Sequence, residues 1–171
     1  MKLFRKIMIY IVFLAAGIFF LHCLGLYFLP QNAVKHSLRI HYGAKLKDYQ
    51  KVSGRENTLF LCSTSDGLLT VSMKKDFLLW VVESTDSGVI RNSMFPCALA
   101  NLQEDIWIMY GDIMEYPVKY IQLEMKDGSN MIWEPDTDSH MFVFFYQGEA
   151  FSWKKLTIFN QNEKDDIQIY P

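Results

Sequence analysis

The sequence predicts a mainly antiparallel β (α+β) ectodomain, sandwich-like, behind one N-terminal transmembrane helix and a short membrane-proximal helix. Three observations predict it. Ile7 to Leu29 is a 23-residue run without Asp, Glu, Lys or Arg. Pro30 to Arg39 then places its apolar residues on one helical face. The remainder breaks into short runs of β-forming residues, with turn residues about every 8–12 positions.

The apolar run comes first because it sets where the rest of the chain sits. A helix rises about 1.5 Å per residue, so roughly 20 apolar residues cross a hydrocarbon core of about 30 Å. Fourteen residues of the run are Ile, Leu, Val or Phe. At the bilayer centre each favours insertion by roughly 0.3–0.6 kcal/mol. A soluble helix of this length would carry one polar face, and this run has none. Its length and the lack of an A-x-A site before a plausible cut favour a signal-anchor over a cleaved signal peptide. Phe20, Leu21 and His22 are the wrong residues to precede a lipid-modified Cys23. Lys2, Arg5 and Lys6 lie directly before the run, while Lys35, Arg39 and Lys45 are spread after it. That density orients residues 1–6 to the cytoplasm and the C-terminal domain outside the cell membrane, single-pass. His22, near the end of the run, is expected to face a partner helix or to snorkel.

Composition narrows the function. All 19 acidic residues lie after Leu29, against 14 of the 17 basic ones. A mildly acidic domain argues against nucleic-acid binding, which normally presents a basic surface. Hydrophobic residues are 50% of the chain and aromatics 15%, so the domain has the material for a packed core.

Past the span, Val34 and Leu38 stand four apart with Ala33 beside them, which gives a helix over residues 31–39, closed by Tyr42-Gly43. Leu46–Val52 is a candidate strand. Thr58–Thr64 and Leu68–Lys74 form a hairpin about Ser65-Asp66-Gly67. The second strand sets Leu69, Val71 and Met73 on one face and Leu68, Thr70 and Ser72 on the other. Lys75-Asp76 turns the chain into Phe77–Ser84, which is apolar on both faces and expected to be central in its sheet. Residues 91–103 lose the alternation and read as a packed loop between two halves. The expected organisation is therefore residues 1–6 as cytoplasmic N-terminus, 7–29 as transmembrane helix, 30–103 as helix plus antiparallel strands, and 104–171 as a β-sandwich-like half. In that half the strands are Asp105–Met114, Val118–Lys126, Asn130–Trp133, Met141–Gln147, Trp153–Asn160 and Ile167–Tyr170. Ile121, Leu123 and Met125 face one way, and Tyr120, Gln122 and Glu124 the other.

Candidate chemistry is sparse. Glu134 to His140 sets Asp136, Asp138 and His140 at alternate positions, like the start of a calcium loop. The Gly and Glu that such a loop needs at its sixth and twelfth positions are Met141 and Gln147 here. A solvated turn explains the same residues. Cys62 and Cys97 either pair, closing a loop of about 35 residues, or stand as two buried small hydrophobes. There is no G-x-S-x-G elbow, and no zinc spacing. Lys35, Arg39, Lys45, Lys47, Lys51 and Arg55 are a solvated face or a surface for anionic lipid. Trp107, Trp133 and Trp153 are either core or interface anchors.

With no catalytic constellation, no metal set and no nucleotide loop, no cofactor is expected. The sequence points to a non-catalytic binding or accessory protein of the envelope. Its partners are the membrane, a membrane protein, a peptide or an envelope ligand, and no nucleic acid. Two rivals are a small metal-dependent hydrolase using Asp136, Asp138 and His140, and a small immunity or secretion-related membrane factor.

The helix pattern Pro30, Ala33, Val34, Leu38 and the strand Tyr120 to Gly128 (YIQLEMKDG) with its D-G turn also carry a resemblance. After a basic N-terminus and one span, they resemble a loose group of uncharacterised membrane-anchored proteins of Gram-positive bacteria. The resemblance implies location and architecture; it carries no activity and no site residues.

Overall fold

The computed structural model describes residues 2–171 except 56, 88–96, 114–115, 137–140 and 162–165. The chain is mostly antiparallel β, with one N-terminal apolar helix and one further helix.

Helix α1 (Lys2–Cys23) contains a 20-residue segment, Phe4–Cys23, long and apolar enough to cross a membrane. Its apolar side chains are exposed around the helix from Phe4 to Phe20 and are not packed into the β domain. The helix stops six residues before the end of the apolar run. Leu24 N–H bonds to Phe20 O and Leu21 O, Gly25 N–H to His22 O, and Gly25 takes φ +73°. Leu26 and Tyr27 then form β1 (Leu26–Tyr27), paired with Val81 and Trp80. The expected span of 7–29 is therefore too long at its C-terminal end. Tyr27 is apolar enough to read as membrane, yet it is buried in the domain core, and tertiary pairing overrides hydropathy.

Helix α2 (Pro30–Tyr42) starts with Pro at its first turn, where the missing N–H is harmless, and ends on Gly43 in the left-handed region. It buries Ala33, Val34, Ser37 and Leu38. These pack on one face of a five-stranded sheet of order β1-β5-β4-β3-β2, formed with β2 (Leu46–Ser53), β3 (Thr58–Thr64), β4 (Gly67–Asp76) and β5 (Leu79–Ser87). The second sheet has order β10-β7-β6, from β6 (Cys97–Gln103), β7 (Ile106–Asp112) and β10 (Met141–Gln147). The third has order β12-β11-β8-β9, from β8 (Val118–Met125), β9 (Asn130–Trp133), β11 (Trp153–Asn160) and β12 (Ile167–Ile169).

The core lies in three apolar layers. Under α2 are Phe60, Cys62, Leu69, Val71 and Met73. Between the first and second sheets are Leu59, Leu61 and Leu68 with Ile108, Tyr110, Met141 and Val143. Between the second and third are Met109, Phe142 and Phe144 with Ile121, Leu123, Trp153 and Leu156. The second sheet is thus covered on both faces, and β10 sends Met141 and Val143 one way and Phe142 and Phe144 the other. Two polar ties cross the first interface. Thr70 Oγ1 and Tyr110 OH are 2.9 Å apart, and Ser63 Oγ donates to Asp112 Oδ2. They pair polar groups across this interface.

The alternation read for β4 and β8 is present: Leu69, Val71 and Met73 share one cluster, and Ile121, Leu123 and Met125 another. Three expectations are corrected. Residues 97–103 are a strand, β6, which pairs with β7, so the packed-loop reading fails there; residues 91–96 lie outside the described set. β5 is not central, because its outer neighbour β1 covers only two of its residues. Phe77 and Leu78 are not strand either: Asp76 pairs with Leu79, leaving these two as the hairpin loop. Phe77 takes φ +53°, a conformation that favours glycine and costs an L-residue roughly 1–2 kcal/mol.

The layering predicts opposite outcomes for neighbours on β10. Phe142→Ala removes a fully buried ring and is expected to cost about 3–5 kcal/mol in urea unfolding. Phe145→Ala, at a 49% exposed position, is expected to change stability by no more than about 0.5 kcal/mol. Equal losses at the two positions would contradict the difference in burial between Phe142 and Phe145.

Candidate functional site

A cleft of about 630 Å³ lies where the end of α1, the inner side of α2 and the outer edge of β5 meet. Local sequence builds each wall. Gly25 turns the chain out of α1, so that β1 and α2 return along β5. The α2 spacing that buries Ala33, Val34 and Leu38 also brings Ser37 to β5, where Ser37 Oγ and Thr85 Oγ1 are 2.5 Å apart. Tyr42 OH donates to Thr85 O at 3.0 Å. These two bonds pin both ends of the last two helical turns to one residue of β5.

Three rings close the end of the cleft next to α1. His22 and Tyr27 meet edge-to-face with centroids 4.6 Å apart, His22 and His36 at 5.4 Å, and Tyr27 and His36 at 5.7 Å. His22 therefore packs on Tyr27 and on His36 of α2, within its own chain. Burial pushes the Tyr27 phenol above its ordinary pKa, so it is a neutral ring and hydroxyl at physiological pH. Cys23 lies exposed on the same rim.

The edge of β5 gives the cleft its chemical character. Beyond Val81 no described strand pairs with the outer side of β5. Thr85 O accepts from Tyr42, so it points away from β4; in an antiparallel strand the N–H of that residue points the same way. A β-bulge interrupts the β4–β5 register between Ser72 and Met73 and leaves Glu83 as the extra residue. The cleft thus offers main-chain donors and acceptors along one wall and a helix with Ile40 and His41 along the other.

Of the residues that the sequence singled out, His22 and Cys23 line this cleft, whereas Asp136, Cys62 and Cys97 do not. Asp136 is exposed after β9, while Asp138 and His140 lie outside the described residues. Among the described residues no group of three His, Cys, Asp or Glu is placed to hold a metal ion. Cys62 points into the layer under α2, and Cys97 into the layer between the second and third sheets, and neither is in a disulfide. Stacked sheets lie about 10 Å apart, whereas a disulfide needs Cα atoms within about 7 Å. Burial, with Asp48 nearby, pushes the Cys62 thiol up to about 12. Trp153 is core, and Trp133 packs on Phe142 at 6.3 Å. Lys35, Arg39, Lys45, Lys47, Lys51 and Arg55 are all exposed. Sequence reasoning missed Lys75, whose ammonium shares the Trp80 ring with that of Lys51. The open β5 edge was missed as well, since only the two-residue length of β1 exposes it.

No protein-family model, curated protein or solved structure matches this chain.

Two measurements follow. In native protein Cys23 is expected to react with Ellman's reagent far faster than Cys62 or Cys97; denatured without reductant, all three are expected to react. A count of one would establish a disulfide. Alkali is expected to destabilise the fold. An unfolded thiol ionises near about 8.5, so Cys62 stabilises fully below that pH and the contribution is lost as pH rises toward about 12. Burial raises the Tyr110 phenol too, with the same sign. The fall in Tm between pH 8 and 10.5 is expected to be smaller in Cys62→Ala than in the parent, and an identical fall would exclude the thiol as a cause.

Proposed function

We propose that this chain is a single-pass membrane protein whose α1 spans the bilayer with its N-terminus in the cytoplasm. The β domain faces outward as a sandwich-like ectodomain, with α2 on its membrane-proximal sheet. Its function is non-catalytic: it is a binding or accessory protein of the bacterial envelope. The uniform apolar surface of α1 supports the span, and Lys2, Arg5 and Lys6 before it support the orientation.

One observation carries the binding reading. The outer edge of β5 beside the cleft is unpaired past Val81 among the described residues. Unpaired strand edges are templates for a further strand, and native folds normally cover them. A short extended peptide, laid antiparallel or parallel to Ser84–Ser87, would bond to the Thr85 main chain and place side chains against Ile40 and Val82. Peptide segments of neighbouring envelope proteins are the class of ligand that this edge fits.

Sidedness is tested first, with an epitope tag after Pro171 and protease added to intact spheroplasts. The tag is expected to be lost; survival until lysis would place the domain in the cytoplasm and reject the orientation. For binding, random peptides are panned on the full chain in nanodiscs. Recovered peptides are expected to lose about tenfold or more in affinity, about 1.4 kcal/mol, on Thr85→Pro. Thr85→Val, which keeps the N–H, is expected to retain most of the binding. Because the Thr85 N–H points away from β4, proline there leaves the β4 ladder intact. Peptides indifferent to Thr85→Pro would exclude strand addition at this edge.

A further inference from the structure

Four exposed apolar residues of the domain lie at one end of the first sheet. Phe77 is 89% exposed and Leu78 60%, and together they are the whole tip of the β4–β5 hairpin. Tyr27 pairs with Trp80, so the chain beyond Tyr27 runs toward Leu79 and that tip. It carries Phe28, 51% exposed, and Leu29, 60% exposed. Four large apolar side chains from two segments therefore leave the sheet at the same end.

Cations surround them. Lys74 and Lys75 are the exposed residues of β4 just before the tip, with one acid, Asp76, after them. Lys51 reaches in from β2, its ammonium 5.3 Å from the centre of the Trp80 ring, and that of Lys75 is 5.8 Å from the same ring. None of the three lysines is in an ion pair among the described residues. Phe77 also holds a left-handed backbone conformation with its ring in solvent, so nothing described in the fold rewards a large apolar residue there.

We propose that this end of the sheet is a membrane-docking surface. Phe77 and Leu78 enter the boundary between headgroups and acyl chains, Phe28 and Leu29 widen the apolar contact, and Lys51, Lys74 and Lys75 meet anionic headgroup phosphates. An apolar patch ringed by cations is the pattern of interfacial membrane contact. The bilayer is chosen over a protein partner because the patch is continuous with the membrane-length helix. β1, which leads out of α1, is hydrogen-bonded to β5, and β5 begins one residue after Leu78. This goes beyond the peptide cleft, which lies along the other stretch of β5, and takes from the proposed function only that α1 lies in a bilayer.

The test uses the full chain in nanodiscs of phosphatidylcholine with anionic phosphatidylglycerol, made with ordinary or acyl-brominated lipid. Phe77→Trp adds a reporter at an exposed position, and its emission is read as the difference from the parent. Phe13→Trp, within α1, reports on insertion by itself. Both reporters are expected to be blue-shifted and to lose most of their emission in brominated lipid. Replacing Lys51, Lys74 and Lys75 by Ser in the Phe77→Trp chain is expected to weaken quenching at the tip, as is 0.5 M salt, while leaving Phe13→Trp unchanged. A quenched Phe13→Trp with a red-shifted, unquenched Phe77→Trp would overturn docking and leave the span standing. If neither is quenched, both the span and docking fall. A blue-shifted but unquenched Phe77→Trp would mean burial against protein, such as a second copy, and would also overturn the proposal.

Discussion

The rest of this fold depends on the second sheet being buried on both faces. Where β6, β7 and β10 are covered from either side, residues of both parities are closed to water. Met109, Phe142 and Phe144 must fill one layer, while Ile108, Met141 and Val143 fill the other. Polar side chains reaching that layer need partners inside the protein. Tyr110 finds one in Thr70, and Asp112 one in Ser63. Both bonds run between sheets, so they fix the first sheet relative to the second as well as satisfying their own groups. The third sheet and α2 complete the stack by covering what would otherwise be open apolar faces.

Much of this was legible in the residues. Where one face of a strand meets solvent, alternation reveals the strand, as in Tyr120 to Met125. Where both faces are buried, a continuous apolar run does so, as in Met141 to Phe144. The same criterion misread Phe77–Ser84. Its opening Phe-Leu pair looks like buried strand, but the register of Asp76 with Leu79 makes it a turn. β6 escaped detection for the opposite reason. Cys97, Ala98 and Ala100 are small residues with weak hydrophobic signal, and their place as strand is set by pairing with β7, not by local propensity. The end of α1 was misjudged because hydropathy cannot tell Tyr27 in a core from Tyr27 in a bilayer.

The cleft was not legible for a related reason. None of its features belongs to a motif: an unpaired edge, a carbonyl held by Tyr42, and a ring contact between His22 and His36 are all relations between distant segments. Charge and histidine content pointed to Asp136 through His140 because that cluster is contiguous. The structure assembles its cleft from residues spread over Val82 and Thr85, the face of α2, and the last turn of α1.

The connection between α1 and α2 is short, Leu24 to Leu29, and two of its six residues are held in the first sheet. Six residues reach at most about 20 Å even fully extended. With α1 inserted as proposed, a domain on so brief a lead explores only a thin shell of space above the lipid. The proposed contacts with that surface would then need no recruitment from solution, because the tether holds the domain at the high effective concentration typical of short linkers. An interaction too feeble to recruit a free protein from solution is then sufficient to set the domain's tilt, and with it the direction in which the open edge of β5 faces its neighbours.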